Sequence, residues 1–156
     1  MNPVVSRQLS LIAKIRAKDD RFLPVGACAE DLKKFIRQCK IELETTPPIE
    51  YIDFLKIHNG FTVEGVFLYS TGRLPISGST GKTLAFVEIN VLSRDLDQTN
   101  CFLVFGDSDQ DEYVLELSSG KYQVRDKQAF DNVYEEFSHF DELLAFMLDM
   151  VLRRIE

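Results

Sequence analysis

Residues 101–126, CFLVFGDSDQDEYVLELSSGKYQVRD, contain three runs of strand length separated by polar connections. The first run, CFLVFGD, is almost wholly apolar, which is typical of a strand buried on both faces at the centre of a sheet. EYVLEL and KYQVRD follow it, and Ser118-Ser119-Gly120 between them favours a hairpin turn. The stretch therefore predicts a meander of antiparallel strands.

The segments upstream of this meander add shorter strands. FTVEG and VFLYS, residues 61–70, are apolar runs separated by a glycine, and they are predicted to form two short strands. TLAFVEINVLSRDLD, residues 83–97, fits a strand and a helix equally well, so the residues alone leave 83–95 open. We expect a central antiparallel or mixed β-sheet of about five to six strands.

The first 45 residues have helical periodicity in two places. Asn2-Pro3 suits the N-cap and first position of a helix that runs to about Lys18. A second helix is marked by apolar residues at i, i+4, i+7 and i+8 spacing, namely Cys28, Leu32, Phe35, Ile36, Cys39 and Leu43.

Two further helices lie on either side of the strands. The third is predicted to have Thr46 as its cap and Pro47 at its first position, and to stop at Asn59-Gly60. The last is predicted to open at Ser138 with a capping box, and its buried stripe is Phe140, Leu143, Leu144, Met147 and Val151. Helices followed by strands and a closing helix predict an α+β fold, with one domain over residues 1–156.

Composition limits where the protein acts and what it binds. No apolar run approaches the roughly 20 residues that span a bilayer, and basic residues interrupt the N-terminal segment, so we expect a cytoplasmic protein without a membrane partner. The three cysteines are odd in number and contain no C-x-x-C pair, which favours reduced, buried thiols.

Charge is divided unevenly along the chain. Residues 1–40 hold nine Lys/Arg against four Asp/Glu, whereas residues 41–156 hold nine against 21, so a +5 segment precedes a −12 body. An acidic body repels phosphates, which argues against a nucleic-acid ligand, and it is compatible with a basic protein partner.

Two loops imitate ligand-binding motifs. ISGSTGKT, residues 76–83, ends like a phosphate-binding P-loop, but Ile76 replaces the first glycine and no apolar strand precedes it. Asp107, Asp109 and Asp111 match the first positions of an EF-hand calcium loop, but Glu112 replaces its glycine. We therefore predict neither a nucleotide, a metal nor another cofactor.

The chain shows no motif for catalysis. His58, predicted in the last turn of the third helix, and His139 are its histidines, and neither accompanies a nucleophile signature. A packing or dipole-stabilising role is favoured for His58. Although a pair of carboxylates meeting in space stays possible, we predict that the protein is not an enzyme.

An ordered set of short motifs carries a family resemblance. Residues 45–70 hold a helix of pattern Y-x-x-F-L that ends in an Asn-Gly turn and is followed by a strand and a glycine, with matches at Tyr51, Phe54, Leu55, Asn59, Gly60 and Gly65. Residues 102–126 and 133–148 follow with strands around a turn and an aromatic residue before D/E-x-L-L. This order resembles the SUKH superfamily, the Smi/Knr-like domain, and within it the bacterial YrhA-like branch. The resemblance covers residues 28–152 and leaves residues 1–20 as an N-terminal helical extension.

The resemblance implies a function. Bacterial SUKH proteins are typically immunity proteins that bind and block a cognate polymorphic or contact-dependent toxin, often a nuclease, without a catalytic centre or cofactor. Their eukaryotic relatives are regulatory interaction modules of cell-wall synthesis and signalling, which keeps a second function open. The resemblance also implies that residues 83–96 are partly a helix packed against the sheet.

The partner-binding residues are predicted from charge, because the resemblance transfers no interface positions. The connection after the central strand carries four carboxylates within six residues, which repel one another in the free protein. A basic partner would relieve this repulsion. We predict the partner-binding residues to be Asp107, Asp109, Asp111, Glu112 and, nearby, Glu116.

Overall fold

The structure, a computed structural model, describes residues 1–97 and 101–155. Within these residues, five helices are formed: α1 Pro3–Ala17, α2 Ala29–Glu42, α3 Ile49–Leu55, α4 Phe86–Asp97 and α5 Phe140–Ile155. The six strands found there are β1 Phe61–Val63, β2 Val66–Leu68, β3 Phe102–Asp107, β4 Asp111–Glu116, β5 Lys121–Asp126 and β6 Val133–Phe137. The strands form one antiparallel sheet in sequence order, so the predicted α+β fold is confirmed.

The central strand is β3, as its apolar sequence predicts. Its backbone bulges between Val104 and Gly106, and Gly106 comes so close to β2 that an added Cβ would lie 2.0 Å from the carbonyl oxygen of Phe67. Beyond the short β2, the edge of β3 is completed by Asn90 of α4, whose carboxamide accepts from the Val104 N–H and donates to the Val104 carbonyl, both at 2.8 Å. The buried amide thus takes the place of a neighbouring strand.

The sixth strand differs from the sequence expectation. Residues 86–97 form helix α4, in agreement with what the resemblance implies, while residues 133–137 form β6 at the edge of the sheet. Val133 to Glu136 are exposed, so this edge strand lacks the alternating burial by which a strand is recognised in sequence.

An aromatic core joins the helices to one face of the sheet. Tyr51 of α3 is fully buried, and its ring contacts Phe35, Phe86, Phe105 and Phe140 from four other elements. The predicted stripe of α5 is buried throughout. Helix α1 belongs to the same core, because Val5, Leu9 and Ile12 are buried in it and the side-chain amide of Gln8 donates to the carbonyl of Ala145.

Two predicted helix starts are wrong. Helix α3 begins at Ile49 with Pro48 as its N-cap, not at Pro47 after a Thr46 cap. The reason is the second proline, since a residue that precedes proline is driven out of the helical region. Helix α5 begins after His139, and Glu142, not Asp141, reaches back to the His139 N–H at 3.1 Å, so the cap lies one residue beyond Ser138.

The ends of α2 and α3 also differ from expectation. Helix α3 stops at Leu55, three residues before His58, whose Nδ1 lies 2.7 Å from the Pro24 carbonyl oxygen. Gly60 has the predicted left-handed backbone, with φ of 74°. Cys28 is the N-cap of α2, and of the three cysteines only Cys39 is buried, because Cys28 and Cys101 lie at exposed element boundaries.

The opposite face of the sheet carries a buried polar cluster around Arg125. Its guanidinium lies 4.6 Å and 4.9 Å from the ring centroids of Phe102 and Phe130. It donates to the side chains of Gln123 at 2.8 Å and Glu116 at 3.1 Å, and to the Phe130 carbonyl at 2.9 Å. Arg125 is 7% exposed, so these contacts replace almost all of its hydration.

Candidate interaction surface

The β3–β4 connection is a short, closed loop. The Ser108 N–H donates to the Asp111 carbonyl at 2.9 Å, and the Tyr113 hydroxyl donates to the buried Ser108 hydroxyl at 3.2 Å. These bonds fix the loop backbone and turn Asp109 outward, where its side chain is 67% exposed. The acidic loop is therefore held in one geometry by its neighbours.

Three carboxylates converge at this end of the sheet, and we call Asp109, Asp111 and Asp126 the acidic corner. Asp111 of β4 stands directly opposite Asp126 of β5 in the strand register. Burial raises the pKa of Asp111, and the charges of Asp109 and Asp126 raise it further. Like charges placed directly across a strand pair are destabilising.

The other two members of the acidic corner are held ionised. The Gln128 N–H, at 2.9 Å, and the Tyr134 hydroxyl, at 2.8 Å, donate to Asp126 and lower its pKa. Arg154 of α5 donates to Asp109 at 2.6 Å and lowers the pKa of that carboxyl. Of the three carboxyls in the corner, only Asp111 therefore has a raised pKa.

The remaining predicted residues lie elsewhere. Asp107 accepts from the Tyr69 hydroxyl and pairs with Lys127 at 3.0 Å. Glu112 is opposite Arg125 in the register, on the face of the sheet away from Asp111. Glu116 lies at the far end of β4, about 17 Å from Asp111, and pairs with Arg125 at 3.1 Å. The structure thus groups Asp109 with Asp111 and separates Glu116 from them.

Asp126 and Tyr134 are the members of this surface that the sequence did not predict. Asp126 is 15 residues from Asp111, and the two meet because the β4–β5 loop has four residues, 117–120. A three-residue turn at 118–120 would have set a different register. The signal that finds Asp126 is therefore the length of the hairpin loop.

A second acidic place is a groove between α3 and the start of α5, with a volume of about 480 Å³. The Asp141 N–H donates to Glu50 at 3.4 Å, and burial and the Glu50 charge raise the pKa of Asp141. His139 Nδ1 lies 3.9 Å from Glu50. This carboxylate pair can share a proton or receive a cation, and the residues that line the groove include no serine, threonine or cysteine to act as a nucleophile.

The loop that imitates a P-loop has a different geometry. Pro75 and Lys82 form an isolated antiparallel bridge, and the Ile76 N–H donates to the Gly81 carbonyl, so the loop closes on itself. The following helix begins at Phe86, four residues after Lys82. A P-loop needs a helix that starts at its Lys-Thr pair, where backbone amides meet the phosphates.

We therefore predict no micromolar, Lys82-dependent binding of Mg-ATP. Calorimetric titration of the wild-type protein with Mg-ATP is expected to show no saturating heat in that range, and Lys82→Ala should leave the trace unchanged. A micromolar affinity that disappears in Lys82→Ala would show that the loop rearranges into a phosphate cradle.

Within residues 1–97 and 101–155, no group of three or more His, Cys, Asp or Glu side chains is arranged to hold a metal ion. Over the same residues, no helix combines the length and the hydropathy required to cross a membrane.

The chain matches no protein-family model, and no curated protein is significantly similar to it in sequence.

Proposed function

We propose that this chain is a SUKH-type immunity protein that acts in the cytoplasm, where it binds and neutralises a cognate polymorphic or contact-dependent bacterial toxin. It acts by one-to-one association, without catalysis or a cofactor. A nuclease toxin fits best, because such an enzyme presents a basic surface to nucleic acid and an acidic protein can cover that surface. The order of the sequence motifs supports the family, and the acidic corner supports the kind of partner.

The opposition of Asp111 and Asp126 is the structural observation that favours a basic partner. A strand pair gains nothing in stability from two carboxylates directly across from each other, and Asp109 adds a third. Lys or Arg side chains of a partner placed between them would remove the repulsion on binding. The same charges would speed association and make its rate sensitive to salt.

Stoichiometry tests the function. A candidate toxin domain is titrated with purified protein while its activity is followed. We expect inhibition to be complete near a one-to-one ratio, as for a blocking protein. Protection at substoichiometric amounts would instead indicate catalysis, and pull-down of several endogenous proteins without inhibition would indicate the regulatory module. A gene for a large secreted protein with a variable C-terminal domain immediately upstream identifies the toxin to use.

The acidic corner is tested by Asp111→Asn. We expect the variant to associate severalfold more slowly with the partner at low salt, and to gain about 0.5 kcal/mol in unfolding free energy at pH 7. The stability gain follows because a raised carboxyl pKa destabilises the folded state above that pKa. The gain should shrink as the pH falls through the pKa of Asp111 and vanish below about pH 3, where Asp111 is protonated in folded and unfolded chains alike.

Stopped-flow association and denaturant unfolding measure the two effects. The matched control is Glu88→Gln, which removes an exposed carboxylate of α4 that pairs with Arg73, outside both the acidic corner and the groove of Glu50 and Asp141. An unchanged association rate and salt dependence in Asp111→Asn would place the interface elsewhere on the chain.

A further inference from the structure

A cleft lies between the last turn of α1, the segment after it and the loop at residues 75–79. It consists of an inner space of about 120 Å³ and an outer space of about 380 Å³. Both are lined by Arg16, Thr62, Ile76 and Ser77, so the two spaces adjoin, and we describe them together as one cleft. Its outer part is also lined by Arg21 and Gly78, by Ser79 and by one carboxylate, that of Glu64.

Arg16 is buried in this cleft without a direct partner. Its side chain belongs to a residue that is 9% exposed, and its Nε is enclosed without any hydrogen-bond acceptor among the residues that the structure describes. Burying a charged group in this way is costly unless an acceptor reaches it. The helix dipole favours a cation in the last turn of α1, but it would favour an exposed arginine equally well and so does not explain why Arg16 is buried.

The charges around Arg16 give it no ion pair. Burial and the neighbouring Arg21 lower its pKa, whereas Glu64 and Asp19 act in the opposite direction. Neither of these two carboxylates is within ion-pair distance of Arg16 in the described part of the chain. The cleft therefore holds two arginines against one lining carboxylate, Glu64, which forms no ion pair with Arg16.

Arg21 is positioned by the glycine of the loop. Gly78 has a φ of 74°, and a Cβ at this position would lie 3.2 Å from both Cγ and Nε of Arg21. The Phe22 N–H donates to the Ser77 hydroxyl at 3.1 Å, which ties the arginine segment to the loop. The absence of a side chain at Gly78 thus lets Arg21 lie across the loop beside the mouth of the cleft.

We propose that this cleft binds an oxyanion, a carboxylate or phosphate group, between the guanidinium groups of Arg16 and Arg21. A planar guanidinium donates two parallel hydrogen bonds to either group, and the serine hydroxyls of the loop add donors. Lys82 does not line the cleft, so this site differs from a P-loop. Its two arginines belong to the basic segment, residues 1–40, and the site does not depend on the acidic corner or on the toxin.

Nuclear magnetic resonance titration tests the site. Sodium phosphate and sodium acetate are added separately at pH 7 and constant ionic strength, with sodium chloride as the reference. We expect saturable shifts of the Arg16 Nε–H and Gly78 amide signals in the low millimolar range, consistent with about 4 kcal/mol of binding free energy. Saturation by phosphate alone assigns a phosphate group, and saturation by acetate alone or by both assigns a carboxylate-compatible site.

Variants separate the site from general charge effects. Arg21 is exposed, so Arg21→Gln should fold normally and weaken phosphate or acetate binding at least fivefold. Lys82→Ala removes a loop cation outside the cleft and should bind as the wild type does. Arg16→Lys retains the charge and loses the planar donors, so it should weaken binding. Without added anion, its Gly78 amide signal should lie at the wild-type position, which would show that the loop is intact. Shifts no larger than those with chloride, or equal shifts in Arg21→Gln, would overturn the proposal.

Discussion

Gly106→Ala is expected to lower the unfolding free energy by about 3 kcal/mol. Its Cβ would meet the Phe67 carbonyl oxygen at 2.0 Å and the terminal methyl of Met147 at 3.0 Å. Met147 can move, but the Phe67 oxygen belongs to the backbone of β2 and is fixed by strand pairing. The bulge and the β2–β3 pairing must therefore shift together.

Gly72→Ala is the matched control for this change. No atom lies within 4 Å of the position that its Cβ would take, and its backbone does not require glycine. We expect its unfolding free energy to stay within about 0.5 kcal/mol of wild type. Urea unfolding followed by far-UV circular dichroism measures both variants. Equal stabilities for the two would show that β2 can move away from β3 without cost.

Arg125→Met is the second large change, and we expect a loss of about 2 kcal/mol. Methionine fills the space between Phe102 and Phe130 but leaves Glu116, Gln123 and the Phe130 carbonyl without the guanidinium. The loss is smaller than for a fully buried ion pair, because the Glu116 side chain is 26% exposed and can regain water.

The control for Arg125→Met is Arg73→Met. Arg73 also pairs with a glutamate, Glu88, but both side chains are at least half exposed. Exposed pairs contribute little, so we expect a much smaller change than in Arg125→Met. The double variant Arg125→Met, Glu116→Gln should recover part of the loss, because it no longer leaves a carboxylate unpaired. A loss in Arg125→Met no greater than in Arg73→Met would mean that the cluster adds nothing to stability.

Apolar periodicity was sufficient to predict the fold class and most buried stripes. The α5 stripe and the central position of β3 needed only side-chain hydrophobicity, which the chain displays directly. The edge strand β6 could not be found in this way, because Glu135 and Glu136 face solvent and the strand exists through pairing with β5. The sequence does not distinguish a helix from a strand in residues 83–97, because the contact that favours helix α4, between Asn90 and β3, is a tertiary one.

The candidate surface was predictable only in part. Asp109 and Asp111 are close in sequence, so their proximity required no knowledge of the fold. Asp126 required the exact hairpin register, and the distance of Glu116 required the direction of β4. In sequence, Arg16 looks like any basic residue in the last turn of a helix. Its burial without a partner depends on the folded position of the loop at residues 76–79, which the sequence does not reveal.

The packing of α1 against α5 bears on how the chain folds during synthesis. The hydrogen bond between Gln8 and Ala145 joins residues that are 137 positions apart in sequence. The helix that packs against the buried face of α1 is α5, which is therefore synthesised long after α1. At 5–20 residues per second, a ribosome takes about 7–27 seconds to add that length. During this interval Val5, Leu9 and Ile12 have no α5 to cover them. We therefore expect the nascent α1 to bind chaperones that recognise exposed apolar helices, and its release from them to coincide with the emergence of α5.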